Sequence, residues 1–178
     1  MRISTENTAC IVVDYQERIL PTIAKKEELI ETSVKLLEGL KILGVPMCIT
    51  GQYTKGLGLN IKEIHEAAGT EEYYDKIVFS CAKVDGVKEA IRGKKNIVLC
   101  GIETHVCVMQ TALDLLDMGY QPIVIEDCVS SRNLNDKKYA LKRMRDAGVI
   151  ITTYEALLFE LLERAGSDTF KQISNLVK

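Results

Sequence analysis

The sequence predicts an α/β protein: a three-layer α/β/α sandwich around a mostly parallel sheet of about six strands, Rossmann-like in build. Two observations carry this. Short apolar runs alternate with helix-period segments along the chain, the pattern of a parallel sheet covered on both faces. The runs 9–13 and 97–100 are nearly all apolar rather than alternating, as strands buried on both sides must be.

The elements follow in order. Residues 8–13 read as a buried strand ending at Asp14. In 26–43, Leu29, Ile30, Leu36, Leu37, Leu40 and Leu43 recur at helical spacing, and Gly44 supplies the stop. Pro46 to Thr50 is the next strand, and 51–60 is a loop with three glycines. Residues 61–68 make one or two helical turns, and Ile77 to Phe79 is a short apolar run placed as a strand. A short helix (85–92), a strong strand (96–100), and a strong helix (104–118, closed by Gly119) come next. A strand (121–126), a helix (135–147, closed by Gly148), a last strand (149–152) and two helices (about 154–164 and 168–176) complete the chain. The apolar C-terminal positions Leu157, Leu158, Leu161 and Leu162 suit packing on the core or on a partner.

Length and composition restrict the class. A chain of 178 residues is expected to form one domain, residues 1–178. It is 47% hydrophobic and 27% charged, which excludes disorder and fibrous repeats. A net charge of −2 argues against general affinity for nucleic acid or an anionic membrane. No apolar run approaches the roughly 18 residues of a membrane span, and the first residues hold no signal-like apolar stretch. The six cysteines include no CxxC pair, and Cys10, Cys48, Cys81 and Cys100 sit in apolar runs. A reduced, cytoplasmic protein is expected. The cations Lys137, Lys138, Lys142, Arg143 and Arg145 on one helix read as a solvated face.

In parallel sheets ligands bind at the carboxyl ends of strands. Asp14 stands at one such end, as a turn-capping acid or a site acid. Gly-Ile-Glu-Thr-His-Val-Cys (101–107) follows another. It places Cys107 in the first turn of a helix, where unpaired amides and the dipole favour a thiolate. A buried structural thiol is the other reading of Cys107. Lys76, beside an apolar run, is placed to pair with Asp14 and help ionise Cys107. Other motifs fail. Gly-Leu-Gly (56–58) lacks the third glycine of a dinucleotide fingerprint, and His65 to Gly69 has glycine where a zinc helix needs its second histidine. Neither a phosphate loop nor a GxSxG elbow is present. His105 lies two residues from Cys107, a spacing at which helical side chains do not face each other.

The segments Val-Val-Asp-Tyr-Gln (12–16), Lys-Ile-Val-Phe-Ser (76–80), Gly-Ile-Glu-Thr-His-Val-Cys-Val (101–108) and Glu-Asp-Cys-Val-Ser-Ser-Arg (126–132), in this order and spacing, resemble the isochorismatase-like cysteine hydrolases. The resemblance runs from residue 12 to about 152. It implies the isochorismatase-like hydrolase fold and an Asp–Lys–Cys triad carried onto Asp14, Lys76 and Cys107. It also implies a cis Ile102–Glu103 peptide and an oxyanion hole made by the Glu103 and Cys107 amides. Nicotinamidase-like members place an Asp and two His metal ligands after the second strand. Here 51–60 holds neither residue type, so no metal and no other cofactor is expected. True isochorismatases can lack the cysteine, so the family name does not settle the reaction.

The expected activity is cleavage of a small amide or related C–N bond through a thioester on Cys107. Tyr15, Gln16, Tyr53 and Leu57 are the candidate substrate-binding residues of a small, partly apolar pocket. The expected partners are a small-molecule substrate and further copies of the chain, in a homo-oligomer. A catalytically silent binding or scaffolding protein of the same fold is the alternative, and a nucleotide- or flavin-binding domain is a third reading.

Overall fold

The computed structural model describes residues 2–178. Six strands form one sheet: β1 (Thr8–Val13), β2 (Met47–Gln52), β3 (Tyr74–Lys76), β4 (Asn96–Ile102), β5 (Gln121–Ser130) and β6 (Ile150–Thr152). Their spatial order is β3-β2-β1-β4-β5-β6, and every pairing is parallel. Helices cover both faces, as the alternating pattern predicts.

Side-chain alternation divides the core. From β1, Cys10 and Val12 enter one cluster, and from β4, Val98, Cys100 and Ile102 join them. Ala9, Ile11 and Val13 of β1 enter the other cluster with Ile97 and Leu99 of β4. This is the period-two placement of strand side chains. The first cluster packs under α1 (Lys26–Ile42) and the C-terminal helices α7 (Tyr154–Leu162) and α8 (Asp168–Leu176). Leu157, Leu158 and Leu161 are buried in it and Leu162 packs against it, so these leucines serve the core of their own chain. The second cluster packs under α4 (Asp85–Ala90), α5 (Met109–Asp117) and α6 (Leu134–Asp146). The short helices α2 (Thr54–Leu57) and α3 (Lys62–Ala68) follow β2.

Three boundaries differ from the sequence expectation. The third strand is Tyr74–Lys76, not 77–79. Ile77 and Phe79 are 79% and 51% exposed, so their apolar run is a surface loop. Backbone pairing of Thr50, Gly51 and Gln52 with Tyr74, Asp75 and Lys76 sets this strand, despite its polar composition. The helix expected over 104–118 begins as a π-helical turn, Thr104–Val108, before α5. The fifth strand runs on to Ser130, with a register shift against β4 between Leu99 and Gly101.

The strand order reverses between β1 and β4. Successive strands step outward from β1 to β2 and β3, and the chain then returns to the other side of β1 for β4. Such a switch point opens a crevice at the carboxyl ends of the two strands. Asp14 and Glu103 are the first residues beyond those ends.

Candidate active site

Asp14 leaves β1 with φ 53°, a left-handed conformation that Asp tolerates better than most residues. Its carboxylate is held from both sides. Lys76 Nζ donates to Oδ2 at 2.7 Å, and Thr50 Oγ1 donates to Oδ1 at 2.8 Å. Lys76, the last residue of β3, also donates to Gln52 Oε1 at 2.7 Å and to the Phe79 carbonyl at 3.1 Å. All three ammonium protons therefore have acceptors. Burial is the largest single influence and works against the charged ammonium, but the Asp14 carboxylate, together with Cys81 and Cys107, outweighs it, and Lys76 is held above the usual lysine range.

Cys107 lies in the π-turn, 6% exposed. It shares a cavity of about 120 Å³ with Asp14, Gln16, Ile19, Gln52, Leu57, Phe79, Ile102, Glu103 and Val106. The thiol departs from the depressed pKa predicted by its helix-terminal place. Burial first, and then the Asp14 carboxylate, push it up to about 12, against the opposing pull of Lys76. Cys107 is thus a neutral thiol beside a carboxylate. Thr111 Oγ1 ties its turn down by donating to the Cys107 carbonyl at 2.6 Å and accepting from the Cys81 amide at 2.8 Å.

The Ile102–Glu103 peptide is cis. The Glu103 carboxylate turns to Arg132, accepting from its backbone N–H at 2.9 Å and from Nε at 3.2 Å. This pairing ties the start of the π-turn to the end of β5.

The four residues expected to bind substrate divide. Gln16 and Leu57 line the cavity. Gln16 is structurally committed: its Nε2 donates to the Gln52 and Gly58 carbonyls at 3.0 and 2.7 Å, and its Oε1 accepts from the Gln52 amide at 2.8 Å. Tyr15 is fully buried in the core, with Oη 2.6 Å from Ser33 Oγ and donating to the Cys128 carbonyl at 2.9 Å. The left-handed backbone at Asp14 breaks the strand alternation, so Tyr15 joins Cys10 and Val12 in the first core cluster, away from the cavity. Tyr53 is 54% exposed and outside the cavity wall. His105 pairs with Ser131 at 2.9 Å. Sequence reasoning missed Thr50 and Gln52. Both stand at the end of β2, where the strand-end rule would have found them.

Among the described residues, no three His, Cys, Asp or Glu side chains gather to hold a metal ion. The 51–60 loop lacks the donors that nicotinamidase-like members use, so such a metal does not fit there.

Residues 8–156 match the model of the isochorismatase domain. The chain belongs to the isochorismatase family. It is similar to isochorismatase domain-containing protein 1 of Danio rerio, with 38% identity over 93% of the chain. The chain spans 59% of that relative's length. A solved structure described as the MAR1 ribonuclease of Caenorhabditis elegans is 37% identical, covers 99% of this chain and 92% of its own, and superposes with a TM-score of 0.94. YcaC of Escherichia coli, described as an octameric hydrolase of unknown specificity, is 22% identical with a TM-score of 0.87 over 92% of this chain and 83% of its own. With these, the fold is that of the isochorismatase-like hydrolases. Among the described residues, no helix is long and apolar enough to cross a membrane.

Proposed function

We propose that this family member is a cysteine hydrolase that cleaves a small carboxamide or related C–N bond. The supporting observation is the Lys76–Asp14 pair, 2.7 Å apart with side chains 0% and 4% exposed, at a cavity that Cys107 also lines. A buried ion pair is costly to build, and this one faces the only thiol in the cavity wall.

The raised pKa of Cys107 defines the first step. A free thiolate is scarce near neutral pH, so the proton moves to Asp14 as sulfur bonds to the substrate carbonyl carbon. Lys76 remains charged and offsets the negative charge as it passes from the Asp14 carboxylate through sulfur to the oxyanion. The Glu103 and Cys107 amides, at the open end of the π-turn, donate to the oxyanion; one such donor contributes about 3–4 kcal/mol in comparable sites. Asp14 returns its proton to the leaving nitrogen, which departs as the amine, and an acyl thioester remains. Water then loses a proton to Asp14 and attacks the thioester. The acid is released, and Cys107 recovers its proton.

A ribonuclease reading would need cations facing a phosphodiester. Lys76 has no donor left, and Lys137, Lys138 and Lys142 line a separate groove beside β6. The amide reading is therefore the better supported. We also propose that the chain forms a homo-oligomer. Tyr53, Leu59, Ile77 and Phe79 are each more than half exposed, and burial against a further copy would cover them.

The test is mass spectrometry of the intact protein during turnover of a panel of small amides. A transient acyl adduct on Cys107, with ammonia release abolished in Cys107→Ala, is the expected result. A panel without adduct or turnover would favour the silent binding protein.

A further inference from the structure

We infer that the Cys107 cavity takes a small, uncharged carboxamide with an apolar acyl group, and rejects substrates carrying a carboxylate or phosphate. The inference rests on the hydrolase reading and narrows its substrate class.

Five side chains of the wall are apolar: Ile19, Leu57, Phe79, Ile102 and Val106. The cations that would pair with a charged substituent are engaged or outside the wall, and most of the neutral donors are committed within the protein. Lys76 spends its three protons on Asp14, Gln52 and the Phe79 carbonyl. The Gln16 amide donates twice and accepts once within the protein. Gln52 accepts from Lys76 and donates one of its two amide protons to the Ile77 carbonyl at 2.9 Å, and the other is a neutral donor that supplies no counter-charge. Glu103 is turned to Arg132, whose side chain is 62% exposed and outside the wall.

An anionic substituent would therefore sit unpaired in a small apolar enclosure beside the Asp14 carboxylate, and burying such a charge is strongly unfavourable. A neutral amide needs only the functions that remain: the thiol, Asp14, and the amides at the π-turn. The same reasoning covers the product. Hydrolysis of R–CO–NH2 by one water releases ammonia and R–COOH. Once ionised, that acid has no cation to hold it, so the cavity favours its departure.

Two parallel measurements test this on the full chain. In the first, Cys107 is alkylated with neutral iodoacetamide and with anionic iodoacetate at pH 9, and peptide mass spectrometry gives each rate. The iodoacetamide preference at Cys107 should exceed that of glutathione by about tenfold or more. Leu57→Lys, which adds a cation to the wall, should return the ratio toward that of glutathione. Equal or faster reaction with iodoacetate overturns the inference. In the second, ammonia release is followed from isobutyramide and from succinamate. Turnover of isobutyramide alone is expected, and preferred turnover of succinamate overturns the substrate class while leaving the hydrolase reading intact. Release from neither amide, with Cys107 still labelled selectively, overturns both.

Discussion

Lys76 and Asp14 come from strands separated in the sheet by β2, yet their charged groups meet at 2.7 Å out of contact with solvent. Each is the condition for the other's burial. Lys76→Met would strand a carboxylate beside Thr50 with no counter-charge. Removing one partner of a buried pair costs about 3–5 kcal/mol, and urea unfolding should show a loss of that order. The double variant Asp14→Asn, Lys76→Met should recover part of it. A loss in the single variant below about 1 kcal/mol would mean that water reaches the pair.

The pH dependence of Cys107 follows from its direction of shift. An ordinary cysteine thiol titrates near about 8.5, and its alkylation rate levels off above that pH. Cys107 is pushed up to about 12, so its thiolate fraction still grows with each pH unit through pH 10. Iodoacetamide labelling resolved by peptide should therefore climb without a plateau from pH 7 to 10. A plateau near neutral pH would show the activated thiolate that the helix terminus alone suggested.

Gly101 sits opposite Val13 in the β1–β4 ladder with φ 124°, and a Cβ there would run into the Val13 carbonyl. This close approach brings the end of β4, and with it Cys107, toward Asp14. Gly101→Ala should destabilise by about 3 kcal/mol or more, read as a lowered denaturant midpoint. Stability within about 0.5 kcal/mol of the parent would refute the need for glycine.

Tyr15→Phe removes a hydroxyl bonded to Ser33 and to the Cys128 carbonyl. The expected cost is about 1–2 kcal/mol of stability, with iodoacetamide labelling of Cys107 unchanged. A large change in labelling with no loss of stability would return Tyr15 to the site.

The buried strands of 8–13 and 96–100 and the helix of 26–43 were legible because apolar periodicity reports directly on which face is covered. Asp14 is legible through the strand-end rule, since the chain leaves the sheet there, whereas Glu103 enters only through the family resemblance. The third strand is not legible because its residues, Tyr74–Lys76, are polar; pairing with β2, a non-local interaction, overrides local preference. Tyr15 is not a pocket residue because the left-handed turn at Asp14, which no local pattern announces, breaks the alternation and sends the ring into the core beside Cys10 and Val12.

The sequence by itself determined the layer order, the parallel sheet and the family. These depend on local pattern and on motif order along the chain. Only the tertiary structure decided the ionisation of Cys107, the use of every Lys76 proton, and the roles of Thr50 and Gln52. The reason is physical. Charge, desolvation and hydrogen-bond satisfaction are set by what surrounds a group in space, and the neighbours of Cys107 come from the ends of four different strands.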